Sequence, residues 1–160
     1  MTIKIGDQLP SARLASMGSD GPESHTTEEI FTGKKVALFS VPGAFTPTCS
    51  AKHLPGFIEH ADALLSKGID RIVCVAVNDV FVMDAWGKNH GVGDKILMLA
   101  DGNGEFTGAL GLELDVTGFG MGMRGQRFSM IIDDGVVSVI NIEDPGAFNV
   151  SSAEQMLTQL

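Results

Sequence analysis

The segment that decides the fold is Val36–Asn78, whose first half reads VALFSVPGAFTPTCSAKHLPGF (Val36–Phe57). VALFSV is a continuous apolar run of strand length without polar alternation, the pattern of a strand covered on both faces. RIVCVAVN, from Arg71, is a second such run. Between them Leu54, Phe57, Ile58, Ala61, Leu64 and Leu65 recur at three- and four-residue spacing, and the pattern stops at Lys67-Gly68, which predicts one amphipathic helix. Strand, helix, strand makes a right-handed crossover with a parallel pair.

Working outward, Asp79 is placed to cap a second helix reaching about Asn89, with Phe81, Val82, Ala85 and Trp86 on its inner face. KILMLAD (Lys95–Asp101) reads as a third core strand. RFSMIIDDGVVSVINIE (Arg127–Glu143) is two β-rich runs about Asp133-Asp134-Gly135, a strong hairpin signal. A last helix is expected from about Ser152, carrying Met156 and Leu157. This order predicts an α/β fold, a three-layer α/β/α domain with a mixed central β-sheet. At 160 residues, one domain over 1–160 is expected.

With 44% hydrophobic and 19% charged residues the composition is that of an ordinary globular protein. The N-terminus lacks a basic region followed by a long apolar core, and no apolar run approaches the roughly 20 residues that span a bilayer, so a cytoplasmic protein with no membrane partner is expected. The net charge of -9 and the scatter of the 11 basic residues exclude nucleic-acid binding, which needs a basic face. Two cysteines do not make a disulfide scaffold in a chain of this size. Any chemistry they carry is transient.

Cys49 lies in an unusual setting. Thr46 suits an N-cap and Pro47 the first helical position, which makes Cys49 the third helical residue. Unpartnered backbone N–H groups and the positive end of the helix dipole stabilise a thiolate there, and the thiolate is the reactive form. Pro42-Gly43-Ala44 leads off the end of an interior strand, where α/β folds place ligands, so Cys49 is expected to face a pocket. The competing reading is a buried cysteine acting as a small hydrophobe. Cys74, within RIVCVAVN, fits that inert reading better than a redox role.

These residues resemble the peroxiredoxins, specifically the type II (peroxiredoxin 5-like) group of the thioredoxin-like superfamily. The resemblance is carried by PGAFTPTCSAKHLPGF (Pro42–Phe57), VNDVFVMDAWG (Val77–Gly87) and QRFSMIIDDGVV (Gln126–Val137). It implies a thiol peroxidase that reduces hydrogen peroxide and alkyl hydroperoxides, with no cofactor and no metal. Cys49 matches the peroxidatic cysteine, whose thiolate becomes a sulfenic acid. Thr46 matches the hydroxyl that contacts thiolate and peroxide, Pro42 the shielding proline, and Arg127 the family arginine. Arg124 is the rival arginine, disfavoured because the motif places the catalytic one immediately before Phe128. The amides near Ala44 and Cys49 are expected to donate to substrate, Ala44 and Phe45 to bind it, and Phe45, Leu114 and Phe119 to form an apolar mouth.

The resemblance also implies a homodimer and a thiol reductant: glutathione, glutaredoxin or thioredoxin. Animal members resolve the sulfenic acid with a cysteine near the C-terminus, where this chain has Ser151 and Ser152. Plant-type and bacterial members often carry a second cysteine at the position of Cys74, which makes Cys74 the candidate resolving residue. Strand geometry places it far enough from Cys49 that direct resolution by glutathione or glutaredoxin is expected, with Cys74 secondary. Two alternatives stand beside the peroxidase: a peroxide sensor or holdase that passes oxidation to a partner, and a disulfide reductase, disfavoured because TPTC lacks a second thiol.

Two further signals are set aside. GMGMRG (Gly120–Gly125) is a literal GxGxxG, but a strand-like run follows it where dinucleotide binding requires a helix. Cys49 and His53, four apart, could share a metal, yet no third ligand accompanies them, and His53 is read as a helix-surface residue or one behind the site.

Overall fold

A computed structural model describes residues 1–160. The elements are β1 (Arg13–Gly18), β2 (Gly21–Thr26), α1 (Thr27–Phe31), β3 (Lys35–Ser40), α2 (Leu54–Glu59), α3 (Ala61–Ser66), β4 (Arg71–Ala76), α4 (Val80–His90), β5 (Leu97–Ala100), α5 (Glu105–Leu110), β6 (Glu113–Asp115), β7 (Met123–Gly125), β8 (Phe128–Asp133), β9 (Val136–Ile142) and α6 (Ala153–Thr158). Seven strands form one sheet in the order β2-β1-β5-β4-β3-β8-β9, and β6 pairs with β7 apart from it. β3, β4 and β5 are parallel at the centre, while β1, β8 and β9 join antiparallel. No helix is long and apolar enough to cross a membrane.

The uninterrupted apolar runs are explained by cover on both faces. On β3, Ala37 and Phe39 join a core with Leu54, Phe57, Leu64, Trp86 and Met156, whereas Val36 and Leu38 join the opposite core with Phe31, Leu99 and Phe106. β4 alternates likewise, and Cys74 falls on the face that carries Cys49 and α2. Helices thus cover both sides of a mixed sheet, which is the three-layer arrangement read from the sequence. At the β8–β9 hairpin Asp134 and Gly135 have φ of 50° and 81°, the left-handed pair that the Asp-Gly signal demands.

Two local expectations are corrected, and six elements carry no expectation at all. The helix between β3 and β4 is not uniform: Cys49–His53 forms a π-helical turn, and α2 and α3 are separated at His60. Pro55 gives the reason for the first change, because a proline inside a helix has no N–H to donate and its ring crowds the carbonyl four residues back. A widened turn just before it, closed by the Leu54 amide on Cys49 O, relieves that conflict. On α4, Asp79 caps as expected by accepting from Val82 N, but the buried face is Met83, Trp86 and Gly87, and Phe81 is 64% exposed. Gly87 sets that phase, since a Cβ there would lie 2.9 Å from Met98 Cγ on β5. Finally, β1, β2, α1, α5, β6 and β7 carry too little apolar pattern to have been read; β2, GPESHT, is a polar edge strand.

Candidate active site

The site lies where β3 and β4 end. Val41 continues the β3 line through its amide to Val75 O at 3.2 Å, and the chain then leaves the sheet through Pro42, Gly43, Ala44 and Phe45. The Asn78 side chain at the end of β4 accepts the Ala44 amide at 2.9 Å and so pins this loop. Phe45 has a φ of 66°, a left-handed backbone that a bulky residue adopts only when its surroundings hold it there. Thr46 ends the loop, with its hydroxyl donated to Gly43 O at 2.7 Å. Helical structure begins at Pro47, and Cys49 is the third residue of it, as read from the sequence.

Arg127 precedes β8, the strand beside β3, and this adjacency carries its side chain to the start of the cysteine helix. Its Nη2 donates to Cys49 Sγ at 3.0 Å and its Nη1 to His53 Nδ1 at 2.9 Å. The Phe148 ring lies 5.8 Å from the guanidinium carbon, within cation–π range. His53 is fully buried, and its Nε2 donates to Ser151 O at 2.9 Å. Burial, and then the positive charge of Arg127, hold its pKa down to about 3. The imidazole is therefore neutral at any physiological pH.

Glu143 organises the neighbouring loop. Its carboxylate accepts the amides of Asn149, Val150 and Ser151 and the Ser151 hydroxyl, all between 2.7 and 2.9 Å. Burial would raise its pKa, but these donors outweigh that and hold it below the ordinary carboxylate value.

Cys49 has no exposed surface. A cavity of about 90 Å³ lined by Pro42, Thr48, Leu114, Gln126, Arg127 and Glu143 approaches the site from the Arg127 side, and Cys49 does not line it. The expectation that Cys49 looks into an open pocket is thus corrected: the sulfur is buried, and Arg127, which touches it, is the residue that lines the cavity. A larger groove, about 600 Å³, runs past Arg71 and Leu97, the first residues of β4 and β5, at the opposite end of the sheet from this chemistry.

A cysteine at a helix start, held by a guanidinium beside the exit of a central parallel strand, is what the motif led one to expect, and the redoxin family model matches residues 4–157. The chain belongs to the redoxin family and is a peroxiredoxin. A chloroplastic peroxiredoxin-2E of Arabidopsis thaliana is 51% identical over 163 residues, spanning 99% of this chain and 70% of the relative. Peroxiredoxin-2B of the same plant is 48% identical over 159 residues, spanning 99% and 98%. The crystal structure of reduced Prx3 from Vibrio vulnificus in complex with hydrogen peroxide has a TM-score of 0.95 at 54% identity and covers 99% of each chain. This peroxiredoxin therefore has the thioredoxin-like fold of its group and is a thiol-dependent peroxidase.

Within the peroxiredoxin the expected residues are distributed unevenly. Cys49 and Arg127 are in contact, and Pro42 lines the cavity beside them. The Ala44 amide is committed to Asn78, so its expected donation to a substrate oxygen is replaced by a loop-fixing role. Phe45 is 53% exposed and stands 6.4 Å from Trp86, outside the cavity; of the proposed apolar mouth, Leu114 lines it and Phe119, 84% exposed, does not. Arg124 donates to Met121 O at 2.9 Å and toward Pro42 O at 3.5 Å, away from the sulfur. Cys74 is wholly buried beside Phe39, and burial, with the nearby Cys49, pushes its thiol pKa well up.

Glu143, Phe148 and Asn78 carry no functional reading in the sequence, and His53 carries one only in part, as a residue behind the site. His53 was assigned in part to the helix surface, and the structure corrects this. A helix phase that ignores Pro55 cannot place it. Pro55 itself was the available signal.

Proposed function

We propose that Cys49 is the peroxidatic residue and that one hydrogen bond carries this reading: Arg127 Nη2 to Cys49 Sγ at 3.0 Å. The Cys49 thiolate attacks one oxygen of a hydroperoxide in line with the O–O bond. That bond breaks, Cys49 becomes a sulfenic acid, and the departing oxygen takes a proton to leave as water or an alcohol. The reaction shifts negative charge from sulfur onto the leaving oxygen, and a guanidinium, with donors in a fixed fork, suits both ends of that movement. Thr46 adds a hydroxyl whose donation to Gly43 O leaves its lone pairs to accept the peroxide O–H. Pro42 shields the sulfur from water. Ala44 and Phe45 shape the substrate approach through their loop, the first by its tie to Asn78.

The cycle closes when glutathione attacks the sulfenic sulfur, releasing water and leaving a mixed disulfide, which a second glutathione or a glutaredoxin reduces. Thioredoxin is the alternative reductant. The burial of Cys74 supports its secondary place. One domain over residues 1–160, a cytoplasmic setting and a homodimer complete the reading. Exposed Phe45, Phe119 and Met123 near the site loops support the last of these, and sedimentation tests it.

The deciding experiment is mass spectrometry after one equivalent of peroxide, followed by steady-state peroxide consumption with each reductant. A single oxygen on Cys49, capped by glutathione when it is supplied, is expected. Unmodified Cys49, or oxidation that survives in Cys49→Ser, overturns the assignment. Oxidation without turnover by any reductant favours the sensor instead.

A further inference from the structure

We propose that Ser16, His25 and Glu29 form a second, hydrolytic site, in which Ser16 Oγ takes the acyl group of a small carboxylic ester bound in the groove that Ser16 lines. The site shares no residue with the peroxidatic chemistry and goes beyond that reading.

The three side chains are brought together by the β1–β2 hairpin and the helix after it. Leu14 pairs opposite His25 and Ser16 opposite Glu23, so Ser16 and His25 are diagonal neighbours on one face of the sheet. Ser16 Oγ and His25 Nε2 are 2.7 Å apart, and the ring is the only hydrogen-bond partner of that hydroxyl. α1 begins two residues after His25, with Thr26 Oγ1 accepting the Glu29 amide at 3.2 Å as its cap. Its first turn returns Glu29 Oε2 to 3.9 Å from His25 Nδ1, an ion-pair distance that shortens as the ring becomes charged. A carboxylate on the Nδ1 side favours the ring proton there and leaves the Nε2 lone pair for the Ser16 hydroxyl. Nucleophile, base and orienting carboxylate thus stand in the relation of a Ser-His-Glu triad, a grouping set by geometry and not by order in the chain.

The groove supplies the rest. Ser16, 6% exposed, lines the hollow of about 600 Å³ at the end of the sheet remote from Cys49, a volume that suits a small ligand. Its walls combine apolar side chains such as Ile72, Val92 and Ile96 with charged ones. Asp84 and Lys88 pair with each other at 2.9 Å, and Asp70 accepts the Lys35 amide at 2.9 Å. Arg71 and Lys95 are left as cations without an ion pair. Such donors suit a carbonyl oxygen that gains negative charge.

His25 Nε2 takes the Ser16 proton as Oγ attacks the carbonyl carbon. The tetrahedral intermediate collapses, the ester C–O bond breaks, and the departing alkoxide takes the proton from His25. Water, deprotonated by His25, then attacks the acyl carbon; the bond to Oγ breaks, the acid leaves, and Oγ regains the proton. The sum is ester plus water to acid plus alcohol.

The probe is p-nitrophenyl acetate, supplied to the full chain and to Cys49→Ser, which removes the other nucleophile. Hydrolysis above the buffer rate is expected in both, and its loss in Cys49→Ser overturns the proposal. Within the Cys49→Ser background, Ser16→Ala and His25→Phe should each lower kcat by about 100-fold or more. Glu29→Gln should lower kcat up to about 5-fold at unchanged KM, the scale of an exposed ion pair. An unchanged rate in a folded Ser16→Ala or His25→Phe overturns the site. Should these variants not fold, two measurements on the unaltered protein decide. A fluorophosphonate should attach to Ser16, as peptide mass analysis reads, and labelling that leaves Ser16 bare refutes the nucleophile. Nitrogen NMR at pH 8 should show His25 neutral and protonated at Nδ1; an Nε2–H tautomer or an imidazolium refutes the base.

Discussion

Arg127, one residue before β8, donates to the sulfur of Cys49 at 3.0 Å across 78 positions of sequence. The contact exists because β8 is antiparallel to β3, the strand from which the chain runs to Cys49, so both residues emerge at the same end of the sheet. Replacing Arg127 by Met should slow oxidation of Cys49 by about 100- to 1,000-fold, the scale of removing one preorganised donor. Arg127→Lys retains the charge but cannot reach Cys49 and His53 together, and should fall between Met and the unaltered protein. Stopped-flow oxidation under single turnover checks both. A Lys variant at full rate would show that charge alone suffices.

Cys74 yields a prediction of the opposite kind. Its thiol is buried on β4 and holds its proton more tightly when folded than when unfolded, chiefly through burial and then through Cys49. The associated stability is present below the ordinary thiol pKa, and it is lost as pH rises beyond that value toward the raised one. Cys74→Ala should therefore cost about 1–2 kcal/mol at neutral pH from the lost packing, yet show a flatter decline of thermal stability above about pH 9. Its single-turnover oxidation of Cys49 should match the unaltered protein, as should turnover with glutathione and glutaredoxin. Loss of turnover there would make Cys74 the obligatory resolving residue.

Much of this arrangement was legible because two simple periods governed it. VALFSV and RIVCVAVN lacked alternation because both faces are covered, and the Asp-Gly turn and the Asp79 and Ser152 caps formed as their chemistry requires. What escaped reading was context. Phe81 and Met83 are equally apolar, and only the fit of Gly87 against Met98 turns one out and the other in. His53 could be placed only by noticing that Pro55 forbids a regular turn before it. Glu143 and Phe148 meet the site through a loop whose course no local pattern encodes, and the weak strands β1 and β2 are fixed by pairing with β5 and with each other.

Acid should expose the His53 and Glu143 arrangement in a definite order. His53 binds its proton far more weakly in the folded protein, at about 3, than its ordinary value of 6.5. Stability is fully present above about pH 6.5 and declines as pH falls toward 3, because the unfolded chain takes up the proton first. Glu143 is depressed below 4.5, so its contribution is present above that value and is lost as pH falls through its lower folded value. Thermal unfolding between pH 7 and 4 should show a decline beginning near 6.5 that is flattened in His53→Phe. Glu143→Gln should lose roughly 1.5–3 kcal/mol at pH 7, the scale of hydrogen bonds to a charged acceptor, with a smaller deficit at pH 4. A decline unchanged in His53→Phe would mean that other groups govern the acid limb.

The indole of Trp86 donates to the Ser50 hydroxyl at 3.0 Å, which ties α4 to the residue after Cys49, and Trp86 is the single tryptophan in the chain. Cys49 has no exposed surface, so a reductant as large as glutathione can reach its sulfur only when the turn from Pro47 to His53 opens. That opening must stretch or break the Ser50 bond and alter the surroundings of the indole. Hydrogen peroxide is far smaller than glutathione and should need much less movement of this turn to reach the buried sulfur, so peroxide alone should change Trp86 emission little, whereas subsequent glutathione should change it at the rate at which the mixed disulfide forms. Ser50→Ala removes the tether, and it should speed the glutathione step by a fewfold, about what loss of one neutral hydrogen bond allows, while leaving the peroxide step unchanged. If emission shifts fully on peroxide and not at all on glutathione, the turn opens on oxidation itself, and reductant entry is not what unwinds it.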